Sequence, residues 1–458
     1  MMNRRAFLGS LAGATALSAV RFSPLNIASA ANIGDPHFLI HLYYTGGVDA
    51  SYLFDAPHPN LRTAKLHQHY LETAPTVWQG ANGGQTLASS LTSPLSSLKD
   101  YFSVINGVVM SEDNDGHGQN LNKLFTQSTS GGVPYLDYIG ETGTSLIDTI
   151  EFNEGFLGPQ FSGSGKRVRL GADGLTALIK TAASQPTKLT SLDSYIVDRA
   201  KSIGKGSGTL SAGARAIAAS LPKGPDLASR VAGIEPVSPD ADDLTKALQY
   251  SLSLFKRNMA QCTTLTGTLN DFNFDTHDVE SARNQQESVG ALVGQVKQLI
   301  DTLRGTPYNG QKSFYDVTTF VISTEFSRTN RQATTDFDNT GTDHNPFGNS
   351  LLIGGKGIRS SLVCGATDLH ILSEGADAFA GVSKRHRELD PELVKPMGLP
   401  IDGQTLRPFA NDATDKYEPL RIESVANTLM TNFGVPNEAF FSTSGGEKAP
   451  VLTGLLKR

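Results

Sequence analysis

The chain has 458 residues, with 45 acidic residues against 39 Lys and Arg, and a formal net charge of −6. That length is enough for one large domain or two modest ones, each with a substantial hydrophobic core. The charge provides no broad basic surface, which argues against a protein that binds a nucleic-acid backbone.

The first 30 residues have the features of an export signal. Arg4 and Arg5 precede a short apolar run rich in Gly, Ala and Ser, and the small-residue sequence ASA ends at Ala30. This pattern predicts a twin-arginine signal peptide that is cleaved near Ala30. A membrane anchor is the alternative, but the apolar run is short and is followed by Arg21 and Pro24. We therefore expect the protein to engage the twin-arginine translocase, to be periplasmic or secreted, and to have no stable membrane anchor.

Strand and helix signals alternate from about residue 36 onward. Four apolar runs bounded by turn residues predict buried strands, at 37–44, 102–109, 317–324 and 350–355. Ahead of the third strand, apolar residues recur at helical spacing from Val289 to Leu303, and Gly305 and Pro307 end the pattern. This alternation predicts an α/β fold, a three-layer sandwich with a largely parallel central sheet.

We expect a single domain over residues 31–458. Residues 201–242, with a possible helix over 211–221, are rich in Gly, Ala, Ser, Pro and Lys and are interpreted as a surface insert or, alternatively, a linker. Cys262 and Cys364 are the only cysteines. Export would permit a disulfide between them, but two buried free thiols fit the sequence equally well.

Polar side chains follow or adjoin the predicted strands in four segments, which is where open α/β sheets bind their ligands. The segments supply Asp49; Glu112, Asp113, Asn114, Asp115 and His117; Asp275, His277 and Asp278; and Glu325, Arg328, Asp343 and His344. A helix predicted to begin near Asn120 would present its amides to an anion. Converging Asp and His side chains favour a divalent metal site: mixed sets suit Zn, Mn or Fe, whereas oxygen-only sets suit Ca or Mg.

Each segment alone also has a purely structural interpretation. Asp49 could cap a turn, residues 112–117 could form a solvated loop, and Glu325 could pair with Arg328. The histidines could be ordinary surface residues. The conjunction of the four segments therefore favours a site more strongly than any one of them.

Five motifs resemble, in order and kind, those of the exported family known as domain of unknown function 1501, which is grouped with the alkaline phosphatase and sulfatase superfamily. They are GGVD after the first strand, a His opening the helix after the second, FDTH, TEFSRT, and GTDH ahead of LLIGG. The resemblance covers about residues 37–360, is most specific at TEFSRT and GTDHNP, and is weak over 130–265. It implies an alkaline-phosphatase-like fold.

The resemblance also implies roles for individual residues. Asp49 would be the acid at the end of the first strand, Asp275 and His277 would form one metal pair, and Asp343 and His344 would bind metal as an adjacent pair.

His117 falls near the superfamily's nucleophile position, where the family pattern expects Ser or Thr. Ser111 and Asn114 are close in sequence but out of register. His370 is a candidate for the superfamily's last metal-binding His. The resemblance is therefore incomplete where a nucleophile would stand.

The implied function is an exported metal-dependent hydrolase of phosphate or sulfate esters, acting on an anionic ester or glycan. The predicted ligands of its divalent cation (Zn, Mn, Fe, Ca or Mg) are Asp49, His117, Asp275, His277, Asp343 and His344. Arg328 would clamp the anionic oxygens, and His117 would be a ligand or a general base. The alternative is a non-catalytic exported protein that binds a metal or a glycan on the same fold. A third interpretation, in which these residues are scattered over the surface, requires that they do not converge.

Overall fold

The computed structural model describes most of the chain from residue 36 onward. The described residues are 36–56, 75–111, 116–145, 147–152, 167–169, 175, 194–195, 198–199, 201–202, 205, 230–231, 233–267, 274–329, 341–367, 395–409 and 418–457. The predicted signal peptide, the acidic run 112–115, most of the predicted insert with the possible helix over 211–221, and His370 lie outside them. The expectations for those segments stay predictions.

Twelve strands and five α-helices lie in the described part of the chain. The strands are β1 (Phe38–Tyr44), β2 (Thr76–Gln79), β3 (Gln85–Ala88), β4 (Phe102–Val108), β5 (Ile147–Phe152), β6 (Arg167–Arg169), β7 (Ala260–Thr266), β8 (Thr318–Thr324), β9 (Ser327–Arg328), β10 (His344–Asn345), β11 (Asn349–Gly355) and β12 (Val363–Cys364). The helices are α1 (His117–Thr126), α2 (Tyr135–Thr142), α3 (Asp243–Lys256), α4 (Val279–Gly305) and α5 (Ile422–Asn432). Shorter 3-10 helices span Ala50–Tyr52, Ser90–Tyr101, Asn437–Ala439 and Thr453–Leu455.

The central sheet has eight strands in the order β12-β4-β11-β8-β1-β7-β5-β6. Strand β1 is parallel to both β7 and β8, whereas β11 is antiparallel to β8 and β4. The remaining pairings are parallel, so seven strands share one direction and β11 alone opposes them. The predicted largely parallel sheet and its four predicted strands are confirmed. The carboxyl ends of β1, β4, β7 and β8 consequently meet at one edge, where β11 begins.

Helices cover both faces of this sheet, as a three-layer sandwich requires. Alternate residues of a strand point to opposite faces. In β1, Phe38 and Ile40 pack in the core that contains the apolar residues of α3 and α4, whereas Leu39 and Tyr43 pack in the core that contains those of α1, α2 and α5. The predicted three-layer architecture is therefore confirmed.

The long helix α4 follows the apolar pattern read from the sequence. Asp278 caps its first turn, because its carboxylate accepts a 2.8 Å hydrogen bond from Ser281 N. Val289, Val296 and Leu303 have no exposed surface, and the helix ends at Gly305 as predicted. Among the described helices, none combines the length and the apolar character that spanning a bilayer requires.

The two cysteines are free and buried. Cys262 lies on β7 and Cys364 on β12, with four strands between them in the sheet. Neighbouring strands are about 4.8 Å apart, which separates the two residues by roughly 24 Å. A disulfide needs Cα atoms within about 7 Å, so the free-thiol interpretation holds.

Candidate metal centre

A glycine turn at the end of β1 lies directly beside the candidate site. Gly46 and Gly47 have φ angles of +102° and +78°, which favour glycine. A Cβ on Gly46 would lie 2.8 Å from Asp275 N, and one on Gly47 would lie 2.3 Å from the Phe326 ring. The pair therefore lets the chain leaving β1 pass directly against the two segments that follow β7 and β8.

Backbone hydrogen bonds join the segment before α4 to the segment before β10. Thr342 N donates to Thr276 O at 2.7 Å, and Gly341 N donates to His277 O at 3.3 Å. A Cβ on Gly341 would lie 2.3 Å from Thr276 O, so this approach needs glycine. These contacts place His277 beside His344.

Four side chains converge at this edge of the sheet. His117 is the first residue of α1, Asp275 and His277 precede α4, and His344 lies on β10, which pairs with β9. One nitrogen or oxygen from each of the four lies within 4.8 Å of the others. The interpretation in which these residues are scattered over the surface is therefore wrong.

The distances within the four-residue cluster suit a bound cation. His277 Nε2 lies 3.0 Å from His344 Nε2 and 3.0 Å from Asp275 Oδ1, which lies 3.3 Å from His117 Nε2. Zinc bonds to N and O are about 2.0–2.2 Å long, which separates the ligand atoms of a tetrahedral centre by roughly 3.4 Å. His117 Nε2 is buried and has no hydrogen-bond partner among the described residues. A cation at the centre would satisfy that atom, so the residues present fit a divalent metal.

The surroundings of the cluster set the charge of two of its members. Burial, together with the positive charge of Arg328, lowers the pKa of His344 to about 4, so its imidazole is neutral at neutral pH, as a metal ligand must be. Burial raises the pKa of Asp275, but the hydrogen bond and charge of Arg328 outweigh it, and the net pKa is lowered. Asp275 is therefore ionised.

His117 responds to opposing influences. Burial lowers its pKa, but the hydrogen bond and charge of Glu325, with the charge of Asp275, raise it overall. His117 Nδ1 lies 2.8 Å from Glu325 Oε1. From the sequence, Glu325 was expected either to belong to the site or to pair with Arg328; instead its carboxylate contacts His117.

Arg328 is turned into the protein. Its side chain has no exposed surface; Nε donates to Gly46 O at 3.0 Å and to Phe274 O at 3.1 Å, and Nη2 donates to Asp275 Oδ1 at 2.5 Å. Arg328 thus pairs with Asp275 rather than with Glu325. It holds a predicted ligand in place. Its Nη1 is buried without a hydrogen-bond partner among the described residues, and the anion-clamp role stays a prediction.

Two further predicted ligands lie outside the four-residue cluster. Asp49 is fully buried and caps the 3-10 helix Ala50–Tyr52, accepting a 2.8 Å hydrogen bond from Ser51 N. Asp343 Oδ1 accepts a 2.8 Å hydrogen bond from His344 N and lies 3.9 Å from His277 Nδ1. Asp343 therefore adjoins the cluster through His277 and the backbone of His344. For both acids a ligand role stays a prediction.

The fold and the cluster define an α/β protein with a candidate metal centre at the carboxyl edge of a mostly parallel sheet. The model of a family described as "Protein of unknown function (DUF1501)" matches residues 210–406. This range includes Asp275, His277, Arg328 and His344, and the match confirms the resemblance read from the sequence. No curated protein matches the chain.

Solved structures similar to this chain include proteins of the alkaline phosphatase and sulfatase type. A lipoteichoic acid synthase from Listeria monocytogenes is 10% identical over 72% of this chain and 68% of its own, with a TM-score of 0.34. A protein in the alkaline phosphatase superfamily from Vibrio parahaemolyticus is 12% identical over 79% and 71%, with a TM-score of 0.28. A 2-O GAG sulfatase is 11% identical over 91% and 75%, with a TM-score of 0.28. Because these TM-scores are below 0.5, the fold class rests on the strand order and helix layers of this chain.

Proposed function

We propose that the protein is an exported metal-dependent hydrolase of phosphate or sulfate esters. The observation that carries the proposal is the convergence of His117, Asp275, His277 and His344 at the carboxyl edge of the sheet. Three imidazoles and one carboxylate favour Zn, Mn or Fe over Ca or Mg, which prefer oxygen ligands. A bound divalent cation supplies Lewis acidity toward an ester oxygen.

The chain's own residues would position a substrate beside that cation. Arg328 holds Asp275 in its ionised form, and the neutral His344 leaves a nitrogen lone pair for the metal. His117 opens α1, so the positive end of the helix dipole faces the cluster. An anionic phosphate or sulfate group would be stabilised at such a helix end.

Metal analysis and ester turnover test the proposal together. Protein purified without chelator is assayed for metal content and for hydrolysis of an aryl phosphate and an aryl sulfate. His344→Ala is expected to lose both metal and turnover. His37→Ala is the matched control, because His37 is half-buried, stacks on Phe433 at 3.8 Å and precedes β1 at the opposite edge of the sheet. Wild-type protein that binds no metal, or turnover retained in His344→Ala, contradicts the proposal.

A non-catalytic metal- or glycan-binding protein is the second candidate function. The hydrogen bonds of Arg328 favour it, because Nε and Nη2 of the arginine predicted to clamp an anion already donate to Asp275 and to two backbone carbonyls. Only Nη1 is left without a partner in the described structure. Tight metal binding with no turnover across a panel of phosphate and sulfate esters would support this candidate over the hydrolase.

Export through the twin-arginine translocase is proposed from Arg4, Arg5 and the small residues ending at Ala30. A reporter fused behind residues 1–35 is expected to reach the periplasm or the medium. The double substitution Arg4→Lys and Arg5→Lys is expected to retain the reporter in the cytoplasm. Export that survives the double substitution would argue against this route.

A further inference from the structure

Glu325 is a buried carboxylate, both of whose oxygens accept hydrogen bonds, beside the four-residue cluster. It follows β8 directly and is 1% exposed. Its Oε1 accepts a 2.7 Å hydrogen bond from Gly46 N and lies 2.8 Å from His117 Nδ1, while Oε2 accepts a 3.0 Å hydrogen bond from Thr324 Oγ1. Glu325 is thus placed to act on His117 rather than to bind a metal itself.

This contact determines which nitrogen of His117 carries the proton. Oε1 of Glu325 accepts from Gly46 N and Oε2 accepts from Thr324 Oγ1, so the carboxylate is arranged as an acceptor and Nδ1 of His117 donates to it. In the neutral ring, Nε2 is then left with a lone pair. That lone pair is buried without a hydrogen-bond partner in the described structure and stands 3.3 Å from Asp275 Oδ1, which also carries no proton. Two acceptors that face each other are stabilised by a cation between them.

We propose that Glu325 is a positioning residue that holds the His117 ring with Nε2 directed at the metal site, and so strengthens divalent-cation binding. The inference rests on the proposed metal centre. Carboxylates hydrogen-bonded to the second nitrogen of a ligating histidine fix its orientation and raise its basicity, and their loss costs about 10–100-fold in metal affinity.

The backbone of Gly46 connects Glu325 to the other side of the cluster. Its N–H donates to Glu325 Oε1 at 2.7 Å, and its carbonyl accepts from Arg328 Nε at 3.0 Å. Arg328 in turn holds Asp275. The backbone of this one glycine therefore positions a histidine through Glu325 and a carboxylate through Arg328.

The substitution Glu325→Gln tests this role with little change of shape. The glutamine oxygen can still accept from Gly46 N and His117 Nδ1, but the negative charge is lost. We expect the affinity for Zn²⁺, measured by competition with a chromophoric chelator, to fall about 10–100-fold. Glu423→Gln is the matched control. Glu423 lies on α5, is also 1% exposed, and pairs with Lys123, which lies on the same helix as His117. Its Zn²⁺ affinity is expected to stay within about twofold of wild type.

Wild-type Zn²⁺ affinity in Glu325→Gln would overturn the inference and leave the proposed metal centre intact. A second readout does not depend on whether Glu325→Gln folds. It is the ¹⁵N resonances of His117 in metal-free wild-type protein, assigned by comparison with His117→Gln. At a pH at which the His117 ring is neutral, the Nδ1–H tautomer is expected, and the Nε2–H tautomer would overturn the inference. Wild-type protein that carries the Nδ1–H tautomer but binds no Zn²⁺ would overturn the proposed function and support the orientation by Glu325.

Discussion

His41 is a titratable residue held where a charge is poorly tolerated. It lies on the central strand β1 and is 1% exposed, between Tyr135 Oη at 2.7 Å and Ser323 Oγ at 2.6 Å. Burial lowers its pKa from 6.5 to about 3. Below pH 6.5 the unfolded chain therefore binds a proton at this residue that the folded protein does not bind. Stability from His41 is complete above pH 6.5 and is lost as the pH falls toward 3.

The buried His41 should make the unfolding free energy fall more steeply as the pH is lowered. The expected slope is about 1.4 kcal/mol of unfolding free energy per pH unit, so wild type loses about 2 kcal/mol through His41 between pH 6.5 and 5. His41→Gln is expected to lower stability at neutral pH and to flatten the pH dependence. Urea unfolding of metal-free protein at several pH values measures both effects, with His37→Gln as the control. An unchanged slope in His41→Gln would contradict the burial of a neutral imidazole.

Arg328 supports the cluster through a planar group with several donors. A lysine at this position has one ammonium that cannot reach Gly46 O, Phe274 O and Asp275 together. Arg328→Lys is expected to reduce the unfolding free energy by about 3 kcal/mol and to weaken metal binding. The control Arg304→Lys changes an exposed arginine stacked over Tyr101 and is expected to cost less than about 0.5 kcal/mol. Equal effects of the two substitutions would remove the argument that Arg328 positions Asp275.

At the scale of elements, the turn after β1 determines how closely two segments approach. Gly46→Ala would combine a left-handed backbone with a Cβ 2.8 Å from Asp275 N. Gly434 is a matched control, because its φ is +73° but nothing lies within 4 Å of its added Cβ. Gly434→Ala is expected to cost about 1–2 kcal/mol, from backbone strain alone.

Gly46→Ala is expected to cost more than Gly434→Ala by at least about 1 kcal/mol, since the clash adds to the strain. It should also lower Zn²⁺ affinity, because the backbone N–H of Gly46 contacts Glu325 and its carbonyl contacts Arg328. Urea unfolding and chelator competition measure the two effects. If both variants lose the same unfolding free energy and keep wild-type Zn²⁺ affinity, the close approach of Gly46 to Asp275 contributes neither to stability nor to metal binding.

The elements that the sequence predicted are those whose pattern is local. The strand β8 and the helix α4 show their apolar periodicity within a few turns of chain, so both could be read directly. The helix α1 begins at His117 rather than near Asn120, because Gly116 serves as its N-cap with no side-chain hydrogen bond to mark it. The order of the strands was not predictable, since pairing depends on contacts between residues far apart in sequence.

The site was predictable as a set of residue types but not as a set of roles. Loop position and neighbouring acids brought forward His117, Asp275, His277 and His344, which converge in the folded protein. Their role as metal ligands stays a prediction. The same reasoning could not separate a ligand from a cap or a support, because Asp49 and Arg328 sit at strand ends just as the cluster does. Asp49 contacts Ser51, 2 residues away in sequence, whereas Arg328 contacts Gly46, 282 residues away. These contacts indicate what each side chain does.

At the scale of the whole molecule, the cluster joins segments that meet only in the folded protein. His117, Asp275 and His344 come from three separated parts of the chain, so the unfolded chain cannot assemble the same site. A cation that binds only the folded state stabilises it by about 2.7 kcal/mol at a free concentration one hundred times its dissociation constant. The apparent unfolding midpoint of chelator-treated protein is therefore expected to rise as Zn²⁺ is added. His344→Ala should abolish that rise and His37→Ala should retain it; a rise that persists in His344→Ala would place the bound metal elsewhere in the chain.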